Sequence, residues 1–343
     1  MFRLTTFLLL VITISSCKTN LVYISVLHPA PVSVRGSAKT AGLLNRAVPD
    51  PTNAKLNELH NALGANTKAI TKEGSAQALD GLKNALIEQN RFSQLKTITS
   101  PPYYSSMIGS FSPPLAWEDV RKICQKDSVD VLLTLEVFDT RLSIPPPAIP
   151  STPQTVGEVV TGVLNTQIPI TTDIKTGWRI YDPKLNTIND EVYLNNSFTF
   201  TAGVLNAPQA VAALMGRKEL IKQNADQLGR NYSTRILPYW QQVTRDYYVK
   251  GSPAFRTAIR KARTGNWNEA GELWKSETQN HKRKVAGRAC YNMAIISEIN
   301  GELNEAVRWA QKSYEDYNNR LALGYVKILR NRQVSEQVLD FQQ

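Results

Sequence analysis

Two periods alternate along the chain. Residues 129–138 read Val-Asp-Val-Leu-Leu-Thr-Leu-Glu-Val-Phe, with every odd position apolar and the other face mixing Leu132 and Phe138 with polar groups. Strand side chains point to opposite faces in turn, so this run predicts a central strand with one fully apolar face. Residues 171–181 and 191–201 alternate in the same way, and Asp182-Pro183-Lys184-Leu185-Asn186 lies between them. Proline presets the backbone of a turn, and the two runs therefore read as an antiparallel hairpin. Weaker strands are expected at 22–26 and 32–34, flanking His28-Pro29-Ala30-Pro31, and at 39–47, 92–97 and 242–249.

The helical period marks three other stretches. Ala78, Leu79, Leu82, Ala85 and Leu86 share one face of residues 74–91, and Trp117, Val120, Ile123 and Cys124 share one face of a second helix. Val211, Leu214, Ile221, Ala225 and Leu228 do the same within residues 208–230. Residues 48–72 read as a loop with one helical turn, and 100–114 as a loop rich in proline, serine and aromatics. Pro145, Pro146, Pro147, Pro150 and Pro153 make residues 142–169 a stiffened surface excursion around a short helix near 156–164.

After residue 252 prolines thin out, the pattern turns helical, and an internal repeat appears. Gly265-Asn266-Trp267-Asn268-Glu269-Ala270 returns 36 residues later as Gly301-Glu302-Leu303-Asn304-Glu305-Ala306. Tyr291-Asn292-Met293-Ala294 precedes the second copy by the length of a helix, and Trp274 and Ala310 occupy equivalent places. This segment resembles tetratricopeptide repeats, helix pairs with a period of about 34 residues. The resemblance implies Gly265 and Gly301 at tight turns, Ala270 and Ala306 where helices cross closely, and a groove for a protein partner lined by Asn292 and its neighbours. Such arrays usually stack at least about three units, so two copies are expected to dock on the preceding domain, with residues 320–330 as a capping helix.

The amino-terminal residues carry an address. Met1-Phe2-Arg3, an apolar run over 4–14 and Ser15-Ser16-Cys17 have the basic, hydrophobic and small-residue regions of a signal peptide. The run is too short for a transmembrane helix, which needs about 20 apolar residues. Ile14-Ser15-Ser16-Cys17 resembles the lipobox of bacterial lipoproteins, which implies cleavage before Cys17 and its lipidation. Lys18 stands where some lipoproteins carry an inner-membrane retention aspartate, which favours an outer-membrane anchor, facing either the periplasm or the cell surface. The expected organisation is thus a signal peptide at 1–16, a lipid-anchored α/β domain at 17–251 and tetratricopeptide-like repeats at 252–343. The fold class is α+β: an N-terminal mixed α/β sandwich followed by an all-α repeat region.

Composition adjusts this picture little. A chain of 343 residues with 42% hydrophobic and 20% charged residues has enough apolar material for two cores. Apart from Cys17 it has only Cys124 and Cys290, both on apolar helix faces, so no disulfide framework is expected. The net charge of +11 would suggest nucleic acid inside a cell. Export redirects that basic surface toward anionic headgroups, acidic envelope polymers or plain solubility, and no nucleic-acid partner is expected.

Chemical motifs are sparse. His28, His60 and His281 are scattered, and neither HExxH nor CxxC spacing occurs, so no metal is expected. No Gly-x-Ser-x-Gly elbow or phosphate loop is present. Glu136 with Asp139, or Asp190 with Glu191, are candidate acid pairs for glycoside hydrolysis, weighed against ordinary strand-end polarity. Tyr103, Tyr104 and Trp117 are a candidate sugar-stacking patch, weighed against core plugs. Lys282-Arg283-Lys284 with Arg288 is a basic knot or a solvated helix start.

The order of elements, with Val129-Asp130-Val131-Leu132-Leu133 and Trp178-Arg179-Ile180-Tyr181-Asp182, resembles the α/β domain of several envelope lipoproteins and secretion accessory proteins. More closely, residues 74–92 and 236–248 resemble an uncharacterised family of Gram-negative lipoproteins that joins such a domain to tetratricopeptide-like repeats. No activity or cofactor comes with that resemblance. The function expected is a non-enzymatic, membrane-anchored adapter working through its helical repeats. The alternatives are a glycan- or peptidoglycan-binding protein or enzyme and an oligomeric secretion-accessory component; the oligomeric state is open.

Overall fold

The computed structural model describes residues 19–47, 65–99, 107, 109–143, 167–203 and 207–343. It is a mixed α+β protein of two units. One comprises residues up to 29 together with 238–340; the other comprises 30–237 with the last three residues.

The larger unit is built on a five-stranded sheet of β2 (Thr40–Asn45), β3 (Gln94–Ile98), β4 (Val131–Ser143), β5 (Gln167–Asp182) and β6 (Thr187–Gly203), in the order β3-β2-β4-β5-β6. β2 runs parallel to both β3 and β4, and β4, β5 and β6 form an antiparallel meander. Two long helices, α1 (Ala65–Glu88) and α3 (Ala207–Ser233), cover one face. The shorter α2 (Trp117–Asp127) packs by Val120, Ile123 and Cys124 against Leu132 and Tyr181 on the other face. The crossovers β2-α1-β3 and β3-α2-β4 follow from the parallel pairings, which need a return of a dozen or more residues.

The central strand departs from simple alternation. The register between β4 and β5 shifts between Leu135 and Val137, a bulge that puts Glu136 and Val137 successively on the α2 side. Phe138 is consequently turned into the core under α1 and α3 instead of standing on the mixed face that strict alternation assigns it.

Other boundaries also move. Residues 65–72, expected in a loop, open α1, where Ile70 is buried in the core; residues 48–64 lie outside the described residues. Residues 32–34 form no strand, although Val32 and Val34 are buried. β5 starts inside the expected proline-rich excursion, with Pro169 opposite Thr201 in β6 and beyond the last pairing of β5 with β4. Among the described residues the strand pairs there only with β6, the edge setting in which a proline is tolerated. The excursion's remainder, and with it the helix near 156–164, lies outside the described residues.

The aromatic-Tyr-Asp phrase of β5 is structural. Trp178 stacks on Tyr232 of α3 at 4.7 Å, and Tyr181 closes the small cluster under α2. Asp182 accepts from the backbone N–H groups of Lys184 and Leu185 in the turn and pairs with Arg35 at 2.8 Å.

α1 and α3 touch backbone to backbone. A Cβ on Gly229 would lie 1.9 Å from the Ala78 carbonyl oxygen, and one on Gly81 2.2 Å from that of Asp226. Overpacking of a tight contact typically costs about 1–3 kcal/mol. Gly229→Ala should therefore destabilise this unit by about 3 kcal/mol, read as a lowered urea midpoint; an unchanged midpoint would contradict the close crossing.

The second unit holds β1 (Thr19–His28), β7 (Tyr239–Tyr248) and five helices: α4 (Pro253–Arg263), α5 (Trp267–Glu277), α6 (Arg283–Ile299), α7 (Leu303–Glu315) and α8 (Arg320–Gln342). β1 and β7 pair antiparallel from Thr19 opposite Tyr248 to His28 opposite Tyr239. Contacts group this ribbon with the helices, whereas the sequence pattern places both strands in the α/β domain. Val22, Ile24 and Val26 of β1 and Tyr247 of β7 enter the same core as Phe255, Trp274, Ile295 and Tyr325.

Candidate functional site

The helical unit contains the two predicted pairs, α4 with α5 and α6 with α7. Gly265 and Gly301 sit between the members of each pair with φ of +85° and +79°, a conformation that disfavours a Cβ. Ala270 and Ala306 are fully buried at the starts of α5 and α7, where a larger side chain would push the helices apart.

The face expected to form an open groove is filled. In such pairs the first helices line the groove, and here they are α4, α6 and α8. β7 of the ribbon packs on α6, and its Tyr247 meets Trp267 and Trp274 of α5. Asn292 of α6 is fully buried; its Nδ2 donates to the Tyr248 carbonyl at 2.9 Å and its Oδ1 accepts the Tyr248 N–H at 2.8 Å. Asn292 thus reads backbone as a peptide-binding side chain would, but the backbone belongs to the protein itself. The expectation that Asn292 contacts a partner is corrected accordingly: the side chain is fully buried, and one N–H and its carbonyl oxygen are engaged by β7. Tyr248 also donates to Asn319 at 2.9 Å and meets the Tyr291 ring edge-on at 5.3 Å. With 13 of its 17 residues buried, α6 has no broad face left for another chain.

Six residues along α6, a buried charge ties the same elements together. Glu298 is 2% exposed and accepts two bonds from Arg245 of β7, both at 2.9 Å, one from the Tyr325 hydroxyl at 2.5 Å and one from Arg332 at 2.7 Å. Burial alone would raise the Glu298 carboxyl, but the Arg245 guanidinium, the Tyr325 hydroxyl and Arg332 overcome it and hold the pKa below the usual value. Burial, followed by the Glu298 charge, pushes the Tyr325 hydroxyl far upward. The helical pattern gave no warning of this site; the only signal was a glutamate within the apolar run of α6.

In the sheet unit the acids proposed as pairs are separated and occupied. Glu136, fully buried, accepts from Arg46 at 2.6 Å, from Thr134 at 2.7 Å and from Tyr181 at 3.3 Å, with Arg179 at 3.6 Å. Asp139 instead lines an open depression with Arg141, Asp173 and Lys175. Asp190 binds Arg235 through both carboxylate oxygens at 2.9 Å, while its neighbour Glu191 pairs with Arg179 at 2.6 Å. Adjacent strand residues face opposite ways, and neither pair presents two carboxyls to one substrate.

The other candidates are likewise absorbed. Trp117 meets Tyr181 edge-on at 6.0 Å beside the core under α2, and Tyr103 and Tyr104 lie outside the described residues. In the basic knot Arg283 donates to the Asp316 carbonyl, and Arg288 donates to the Lys250 carbonyl at 2.6 Å while lying over the Tyr248 ring. Among the described residues no cluster of His, Cys, Asp and Glu could hold a metal, and no helix is long and apolar enough to cross a membrane. Cys17 lies outside them. Cys124 and Cys290 are free and buried, and burial pushes their thiols up to about 12 and about 11.

With this geometry in view, the chain belongs to the family defined by the domain of unknown function DUF8603, whose model matches residues 38–248. A second domain of unknown function, DUF6340, matches residues 256–331. Among curated proteins, no relative matches the chain. Similar solved structures include a minor lipoprotein from Acinetobacter baumannii at 10% identity, covering 60% of this chain and 96% of that one with a TM-score of 0.29. A PelC dodecamer from Paraburkholderia phytofirmans is 7% identical, with 63% and 97% covered and a TM-score of 0.24. A neuraminyllactose-binding hemagglutinin homolog from Helicobacter pylori is 11% identical, with 59% and 93% covered and a TM-score of 0.25. Scores this low carry no functional argument.

Two predictions follow from the Glu298 cluster. Breaking a buried ion pair by removing one partner typically costs about 3–5 kcal/mol. Arg245→Ala should cost the helical unit about 3 kcal/mol in denaturant unfolding, against less than about 1 kcal/mol if the pair were solvated. A carboxyl with a lowered folded pKa stabilises the fold above its unfolded pKa and loses that contribution as pH falls through the folded value. The unit's melting temperature should therefore decline below pH 4.5, and Glu298→Gln should flatten that decline; parallel profiles for the two proteins would refute the assignment.

Proposed function

We propose that the protein is a non-enzymatic adapter of the cell envelope, anchored through a lipid on Cys17, and that its helical unit binds a protein partner on the flank of α8 that carries Leu321 and Ile328 instead of in the repeat groove. The exposed apolar flanks of α8 carry this reading. Ala322, Tyr325, Val326 and Leu329 bury one side of the helix, while Leu321, Leu323, Ile328 and Val334 remain 40–59% exposed. In repeat register α8 is a third first helix, 37 residues after the start of α6, yet among the described residues no helix pairs with it as α5 pairs with α4. Apolar residues left exposed along a helix suit an amphipathic helix of a partner, the occupant whose shape and chemistry match.

The non-enzymatic part of the reading is supported by the acids, each of which serves an ion pair or lines an open depression. Anchoring is supported by the lipobox resemblance at 14–17.

A photo-crosslinking residue in place of Ile328 in the full chain, activated in cells, should join one partner polypeptide. Leu321→Asp and Leu321→Lys, on the same flank as Ile328, should each weaken that adduct at least tenfold without changing the amount of folded protein. No adduct, or one insensitive to both substitutions, overturns the proposal.

A further inference from the structure

Where β1 begins, four cations meet. Thr19, Asn20, Val249, Lys250, Arg256, Ile259, Arg260 and Arg263 line one open depression of the helical unit. Arg256, Arg260 and Arg263 are spaced four and three residues apart, which puts them on one side of α4, and all three are exposed. The neighbouring side of that helix, with Phe255, Ala258, Ile259 and Ala262, is buried, which fixes how the guanidinium groups are presented. Some exposed arginines of this protein pair with carboxylates, Arg141 with Asp139 and Arg308 with Glu305. Among the described residues no carboxylate pairs with Arg256, Arg260 or Arg263, and the depression contains no acidic residue.

The chain fixes where this surface lies. Cys17 precedes Thr19 by two residues, so their Cα atoms are within about 7 Å of each other. A lipid on Cys17 therefore holds the depression at the level of the headgroups. Leu21 and Tyr23 stand on the outward side of the same strand, 52% and 67% exposed, alternating with Val22 and Ile24 that enter the core. Tyrosine at that depth has the amphipathic character of membrane-interface aromatics.

We infer that Arg256, Arg260 and Arg263, with Lys250, form a headgroup-binding surface that clasps the phosphates of anionic membrane lipids and sets the orientation of the anchored protein. Guanidinium forks match phosphate oxygens bidentately and are weakly hydrated, so they suit this ligand better than lysines would. The inference rests on the lipid-anchor reading of Cys17 and adds the contact that the anchor alone does not supply. Each cation near an anionic bilayer favours the engaged state by about fivefold.

The test uses the full lipidated chain in vesicles of phosphatidylcholine, with or without one quarter phosphatidylglycerol. A fluorophore is placed on Thr264→Cys, an exposed position just past α4; the buried thiols of Cys124 and Cys290 stay unlabelled. Energy transfer to a headgroup-labelled acceptor should rise with phosphatidylglycerol, and the gain should vanish in the Arg256→Gln, Arg260→Gln, Arg263→Gln variant and at molar salt. Transfer that ignores lipid charge, or a gain that survives the triple substitution, overturns the headgroup site. The intact mass of the amino-terminal peptide from the same sample separates the two readings. An acylated Cys17 with flat transfer leaves the anchor and removes the site, whereas a free Cys17 on protein that stays off the vesicles removes both.

Discussion

The helical unit depends on a strand pair that closes across most of the chain. β1 and β7 bring Asn20 beside Tyr247, 227 residues apart, and their apolar side supplies Val22, Ile24, Val26 and Tyr247 to the helical core. Loop closure costs rise only slowly with length, and a folded insert between the strands shortens the effective loop further. The sheet unit is, in this sense, an insertion in the helical one. Once paired, the ribbon presents the Tyr248 backbone to Asn292 and the Arg245 guanidinium to Glu298, and the groove-lining side of α6 becomes interior.

That arrangement decides which surfaces remain for binding. Helix pairs of this type are expected to leave their inner side open, and here the protein occupies it with its own strand. The surfaces that stay accessible include the flanks of α8, with their exposed aliphatic residues, and the basic side of α4 at the start of β1. Chemistry in the sheet unit is equally inward. Glu136 has Arg46, Thr134, Tyr181 and Arg179 around it, a network whose value is a fixed bulge and a fixed loop, since Arg179 also donates to the Ser112 carbonyl at 2.7 Å. Charges taken out of water at such cost hold only when fully partnered, and these are.

Much of the fold was legible because hydrophobic period and element type coincide. The central strand, the hairpin, the helices over Ala78–Leu86 and Ile221–Leu228 and the two repeat pairs all come from patterns that span several turns or pleats. What was hidden has physical causes. A bulge at Glu136 flips the phase of β4 without any mark in composition, so Phe138 was assigned to the wrong side. The close approach of α1 and α3 through Gly81 and Gly229 looks in sequence like two weak helix positions. The alternation of β1 and β7 shows that each is half buried but not against what, and that is why Asn292 read as a partner contact. Arg256, Arg260 and Arg263 carry a visible helical spacing, yet only the fold sets them beside Thr19.

Native-state hydrogen exchange on the full chain tests most directly whether the ribbon is an integral part of the helical unit. If it is, the ladder amides of β1 and β7 will open with the same free energy as the interior amides of α6, since losing the ribbon exposes Asn292 and Glu298 and unfolds the unit. If the ribbon amides exchange readily while α6 stays protected, the strand pair is a detachable cover, and the groove is available to a partner after all.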